Sequence, residues 1–242
     1  MALQHILYLR FMKYLTFLIV LLHMVGIGQT ETQPADMVHF RFSAGLSVPV
    51  LDYTSNDLSK GCFTQPGLAL SALFDWRLRR QISIGLEASV FQHPVDVSSL
   101  GAAKVLNDPF LQDLYIRSDP YRLIGLFTRI SYGFLHRKEV RLSVSGSVGP
   151  MWSRTPYQLY KPEYFLAGPP YYEITESRDL SLAYGMGVEA AFYVHPYLNF
   201  LLSMDMKETH AAYGFLTASG IRTDHRRINF FNISAGLYLT LY

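Results

Sequence analysis

Period two governs this sequence: from residue 38 onward, apolar side chains recur at every second position through eight separate segments. Alternate side chains of an extended chain point to opposite faces, so each segment is a strand with one apolar and one contrasting face. The first, 38–50, sets Val38, Phe40, Phe42, Ala44, Leu46 and Val48 against His39, Arg41, Ser43, Gly45 and Ser47. The fifth, 140–152, is the most regular, with Val140, Leu142, Val144 and Val148 opposite Arg141, Ser143, Ser145, Ser147 and Gly149. The same alternation runs through 67–77, 82–90, 122–134, 180–192, 198–207 and 231–242.

The connections alternate in length. Three are tight, around Arg79-Arg80, His136-Arg137-Lys138 and His195-Pro196, and four are long, at 51–66, 93–121, 154–179 and 208–226. Strand direction reverses at every connection, so the tight turns share one rim and the long loops the other. Both chain ends then fall on the short-turn rim, the layout of bacterial outer-membrane barrels. Pro49 and Pro150 each lack a ladder donor and are tolerable only near the loop rim.

The contrasting face decides which medium touches the apolar one. A solvated sheet surface is dense in Lys, Glu and Thr, whereas this face is mostly Gly, Ser and Ala. Small residues suit the crowded interior of an eight-stranded barrel, which is just wide enough for side chains to fill. Its charges are Arg41, Arg129, Arg141 and Lys207 against Asp75, Glu87, Glu189 and Asp205, four of each sign. Unpaired charge in such an interior is costly, so this balance predicts an ion-paired plug. The expected fold is an all-β, eight-stranded antiparallel up-and-down transmembrane β-barrel over 38–242, because lipid requires every backbone polar group to pair internally. A soluble, lipocalin-like barrel with its apolar face inward is the competing arrangement.

On these features the chain resembles the small eight-stranded outer-membrane barrels of the OmpA/OmpX type. The resemblance rests on strand count, loop parity and the final strand, Ser234-Ala235-Gly236-Leu237-Tyr238-Leu239-Thr240-Leu241-Tyr242, which ends on an aromatic as the signal for the barrel-insertion machinery does. Parity places Tyr242 on the inner face with Tyr238, whereas that family's terminal aromatic points to lipid. The stretch Gly26-Ile27-Gly28 before Gln29, with a short lead-in, also resembles the PorT-like small barrels. The resemblance implies a location in the outer membrane beneath a lipopolysaccharide leaflet.

The N-terminus carries an address. Arg10 and Lys13 precede an apolar run from Leu15 to Val25, then small residues, then Gln29-Thr30-Glu31-Thr32-Gln33, the order of a secretory signal peptide. The run is shorter than the roughly 20 residues a membrane helix needs. The expected division is signal peptide 1–28, periplasmic lead-in 29–37 and barrel 38–242, with translation starting at Met1 or Met12.

Composition narrows the function. Charged residues make up 17% of the chain, below the roughly 25% of soluble domains, and a net charge of +2 offers no field for nucleic acid. Cys62 is the only cysteine, which excludes an internal disulfide and a cysteine metal cluster; it follows Ser59-Lys60-Gly61 but no apolar segment, so it is a loop thiol rather than a lipoprotein site. Glu87 and Glu189 resemble an acid–base pair, yet neutralising Arg129 and Arg141 is the stronger reading. His93, His210 and His225 lie in or beside long loops without metal-ligand spacing. Outer-membrane deacylases place His-x-Ser on a strand, and no His here is followed by Ser two residues on. Catalytic, cofactor and metal sites are therefore not expected.

The third long connection carries the strongest binding signal: Tyr157, Tyr160, Tyr164, Phe165, Tyr171 and Tyr172 stand among four prolines. Tyrosine offers wide amphipathic contact and proline stiffens a loop. In the second, Leu100, Val105, Leu106, Leu111 and Leu114 suggest a short capping helix over the mouth. These features point to a binding or structural protein, an accessory subunit of an outer-membrane secretion or assembly complex with a protein partner. A small channel and a lipid-modifying enzyme are the alternatives.

Overall fold

The computed structural model describes residues 38–241, apart from Arg80, Lys138, 166–167, 196–197 and 218–219. The expected leader, the lead-in and Tyr242 lie outside the described residues. Eight strands close into one antiparallel barrel: β1 (Val38–Pro49), β2 (Gly67–Arg77), β3 (Ile82–His93), β5 (Tyr121–His136), β6 (Val140–Arg154), β9 (Arg178–Phe192), β10 (Leu198–Thr217) and β11 (Gly220–Leu241). Each pairs with its neighbour in the chain, and the seam closes between β1 and β11, from Val38↔Leu241 to Pro49↔Phe230. At about 3.3 Å per residue and a tilt near 45°, twelve-residue β1 rises about 28 Å, the thickness of a hydrocarbon core.

The apolar face of every barrel strand points outward. Phe42, Leu70, Leu86, Ile130, Met186, Leu202 and Ile233 are each about half exposed or more, while Arg41, Ser83, Glu87, Ser131, Ser143 and Glu189 are buried inside. A soluble barrel is therefore inverted relative to what these residues do. Glycine permits the closest strand approach at the seam: a Cβ on Gly45 would meet the Ile233 carbonyl oxygen at 2.1 Å, and one on Gly236 the Phe42 oxygen at 2.0 Å.

Pro150 sits inside β6, not at its end, with its ring on the barrel's outer side. Its missing donor coincides with a lapse in the ladder to β5, where pairing passes from Gly125↔Met151 to Thr128↔Val148. The turn rim agrees with the tight connections read from the sequence, but the long-loop rim is far more ordered than twenty-residue loops would be. Connection 208–226 is no loop: β10 and β11 run on as a continuous hairpin to Thr217↔Gly220. Pairing of β10 with β9 stops at Thr209↔Ala183, so residues 210–217 project about 26 Å beyond it. Period two fades there because the outer face turns polar while Ala211 and Tyr213 still pack inward, and the hairpin's own backbone hydrogen bonds link its two strands.

The second and third long connections fold together into a cap. Helix α1 (Val97–Asn107) starts at Asp96, whose carboxylate accepts from the Ser99 amide at 3.0 Å. It covers the first part of the expected capping helix, and Asp108-Pro109 ends it, since a residue before proline disfavours the helical region. Leu111 and Leu114 belong instead to β4 (Leu111–Ser118), which pairs with β7 (Gln158–Tyr164), which pairs with β8 (Tyr172–Ile174). Phe63, Leu100, Leu111, Leu114, Ile116 and Tyr160 make a core for this cap, separate from the barrel's.

Candidate functional site: a capped mouth above a sealed lumen

The barrel interior is layered. In the middle, salt bridges form one line of alternating sign. Arg41 bonds Asp75 at 2.5 Å and Glu189 at 2.7 Å; Arg129 bonds Glu189 at 2.6 Å and Glu87 at 3.0 Å; Lys207 bonds Glu87 at 2.8 Å and Asp205 at 3.5 Å. Ser89, Ser143 and Asn232 donate to the remaining carboxylate lone pairs, and Ser145 accepts from Arg129. Seven of the eight expected interior charges thus meet.

Arg141 does not join them, which corrects its assignment as a neutralising partner of Glu87 or Glu189. It lies at the short-turn end, and Glu189 is already shared between Arg41 and Arg129. Arg77 is also interior, because parity carries β2's inner face one step past Asp75. Among the described residues, five cations (Arg41, Arg77, Arg129, Arg141 and Lys207) therefore face four carboxylates, not four facing four.

Toward the long-loop rim the lumen is closed by apolar side chains: Phe91, Leu123, Phe127, Met151, Ile228 and Phe230 are all buried. The Lys207 ammonium stands 4.3 Å from the Phe127 ring centroid, joining the two layers. Apart from Phe127 these residues were not singled out from the sequence, although Leu123 and Met151 have the inward parity of their strands, and parity carried one residue further reaches Phe91 and Phe230 and three further reaches Ile228. Voids within the charged layer measure only 20 and 10 Å³, about one water each.

Beside this plug Tyr53 enters the mouth from a short 3-10 turn, Leu51–Tyr53. Its hydroxyl lies 3.1 Å from His93 Nδ1, and His93 Nε2 lies 2.8 Å from Ser47 Oγ. His93 is thus a barrel residue, not a loop ligand, while His210 and His225 are exposed on the projecting hairpin. Serine, imidazole and phenol in a row resemble a nucleophile relay, yet all three are fully buried. Such a row satisfies its polar atoms and reaches no solvent.

Above the plug, under the cap, lies a cavity of about 590 Å³. The barrel contributes Tyr121, Tyr213 and Arg226 to its wall, the cap Lys104, Tyr164 and Tyr172. Arg226 donates to the carbonyls of Ser59 and Gly61 at 3.2 and 3.1 Å, tying the hairpin to the first long connection. Lys104 lies 4.5 Å from the Tyr160 centroid and 5.9 Å from that of Tyr172, and the two rings stack at 4.7 Å. Burial pulls the Lys104 amine below its ordinary range and pushes the Tyr160 and Tyr172 phenols up.

The structure splits the six expected docking aromatics. Tyr160 is 1% exposed and anchors the cap core, because strand pairing turns alternate residues of 158–164 inward, so it offers no outer surface. Tyr164 and Tyr172 line the cavity, Tyr157 is half-buried, and only Phe165 and Tyr171 stand well exposed.

Cys62 borders the cavity beside Tyr121 and is 6% exposed. Burial pushes its thiol up, more strongly than the Arg226 charge pulls it down. Alkylation at pH 8 is expected to be at least tenfold slower in the folded protein than in urea-denatured chain, read by mass spectrometry. Equal rates would show that the cap opens freely.

Fold and site together define a closed, up-and-down, eight-stranded β-barrel with an apolar outside, a polar sealed inside and a folded cap. No family model matches the sequence, and no curated protein matches it. Solved structures that it resembles are small barrels. Neisserial surface protein A is 10% identical over 86% of this chain and 99% of its own, with a TM-score of 0.46. Ail, the attachment invasion locus protein of Yersinia pestis, is 11% identical over 85% of this chain and 100% of its own, at 0.47. A major outer membrane protein from Thermus thermophilus is 11% identical over 84% of this chain and 99% of its own, also at 0.47.

Proposed function

We propose that this chain is an integral outer-membrane protein, exported by its N-terminal leader, that acts by binding at the cell surface rather than by catalysis or conduction. The observation that carries this is the cap, a second folded core enclosing a 590 Å³ cavity above a filled lumen. Ordering roughly 60 residues of connecting chain costs about 1–2 kcal/mol each, an investment that a plain membrane plug does not need. In the specific form we favour, the cap is the contact of an accessory subunit in an outer-membrane secretion or assembly complex, with Phe165 and Tyr171 as exposed anchors.

Because Tyr160 holds the cap together, the suitable variant is Phe165→Ser with Tyr171→Ser, which leaves that core untouched. Purification in mild detergent is expected to return a heat-modifiable barrel without the proteins that accompany the native chain; retention of all of them would overturn the docking reading. The filled lumen supports a further expectation, the absence of stable single-channel steps in planar bilayers. Reproducible conductance would favour the channel alternative.

A further inference from the structure

The charged middle of the lumen is satisfied, whereas the short-turn end is not. Arg141 is 3% exposed, and among the described residues none of its three guanidinium nitrogens has a hydrogen-bond partner. Around it are further buried polar atoms without partners: both His39 ring nitrogens, the Tyr238 hydroxyl, Asn199 Nδ2 and the Ser83 and Ser131 hydroxyls. All of these lie within about five residues of the short-turn ends of their strands. The His39 and Tyr238 rings sit 4.6 Å apart, and both feel the charges of Arg41, Arg77 and Arg141. Arg41 is spent on Asp75 and Glu189. A buried guanidinium left unpaired costs several kcal/mol, and every group around it can donate a hydrogen bond while none carries the negative charge that would balance it.

We propose that the short-turn end of the lumen is a binding site for a small oxyanion, carboxylate or phosphate in class, held by the Arg141 fork and by hydrogen bonds from Tyr238 and Asn199. A planar guanidinium with all of its donors free matches two oxygens of such an anion. Gly133 lets the guanidinium lie close against the strand: a Cβ there would lie 3.0 Å from Arg141 Nε and 2.5 Å from His136 Cε1. The site lies at the turn rim, opposite the cap, so it is independent of the cavity and of the docking reading.

The test uses the full-length folded protein in detergent, with inorganic phosphate as probe, acetate as the carboxylate arm and chloride matched for ionic strength. Urea unfolding is expected to shift to higher urea with phosphate or acetate but not with chloride. At a hundredfold excess over Kd the folded-to-unfolded ratio rises about a hundredfold. Arg141→Met is expected to abolish the shift and, in chloride, to be no less stable than the native chain, since it removes an unpaired buried charge. Should Arg141→Met not fold, Arg141→Lys keeps the charge but loses the fork, and phosphate titration by calorimetry is expected to show at least tenfold weaker binding. Unfolding that ignores both oxyanions, or phosphate binding unchanged in the Arg141 variants, would overturn the proposal.

Discussion

Glu189→Gln is expected to lower the stability of the barrel by about 3–5 kcal/mol, the cost of removing one partner from a buried charge network. Glu189 alone bridges two arginines, accepting from Arg41 at 2.7 and 2.8 Å and from Arg129 at 2.6 Å. The amide has the same shape but no charge, and its NH2 faces a guanidinium. Both cations then stay buried with a single carboxylate each, Asp75 for Arg41 and Glu87 for Arg129. Asp205→Asn is the control. Its side chain is 18% exposed, its contact to Lys207 is 3.5 Å, and Lys207 keeps Glu87 at 2.8 Å. A loss of about 1 kcal/mol or less is expected there. Urea unfolding followed by the shift between heat-modified and unmodified gel bands reads both variants. Equal losses would mean that the network is not organised around Glu189.

Leu86→Arg tests which medium bathes the barrel. Leu86 is 57% exposed at the middle of β3's outward face, level with Phe74 and Thr128 on the neighbouring strands. In a bilayer, arginine at the midplane costs about 2–4 kcal/mol. In water the same substitution on a half-exposed position would change stability by about 0.5 kcal/mol or less. Refolding yield and unfolding midpoint in lipid vesicles separate the two outcomes. An unchanged midpoint in vesicles would sink the membrane reading.

Which parts of the molecule could be read in advance follows from the range of the interactions. Alternation is a property of adjacent residues, so strands with an apolar outer face, such as Val140, Leu142 and Val144 of β6, announce themselves and even their direction follows from counting turns. The same signal marked Arg41, Glu87, Arg129 and Glu189 as interior. It faded in 208–226, where the hairpin's outer face is polar and the residues that turn inward, Thr209, Ala211 and Tyr213, are small or carry a hydroxyl. It also missed the cap, whose inward residues Leu111, Leu114 and Tyr160 face a core made from three separate connections, the first supplying Phe63. Tyr160 resembles any other tyrosine of its proline-rich stretch until β4 pairs with β7 and turns it inward.

Residue type and order alone thus determined the strand count, the outward face and the sign of each interior charge, because side-chain direction in an extended chain depends only on position. Partnership was decided in three dimensions. Arg41 reaches Glu189 across 148 residues of chain, and Arg141, carrying the same charge on the same kind of face, finds no carboxylate among the described residues. The tilt of strands around a closed barrel sets which interior residues share a level, and no local pattern encodes that offset.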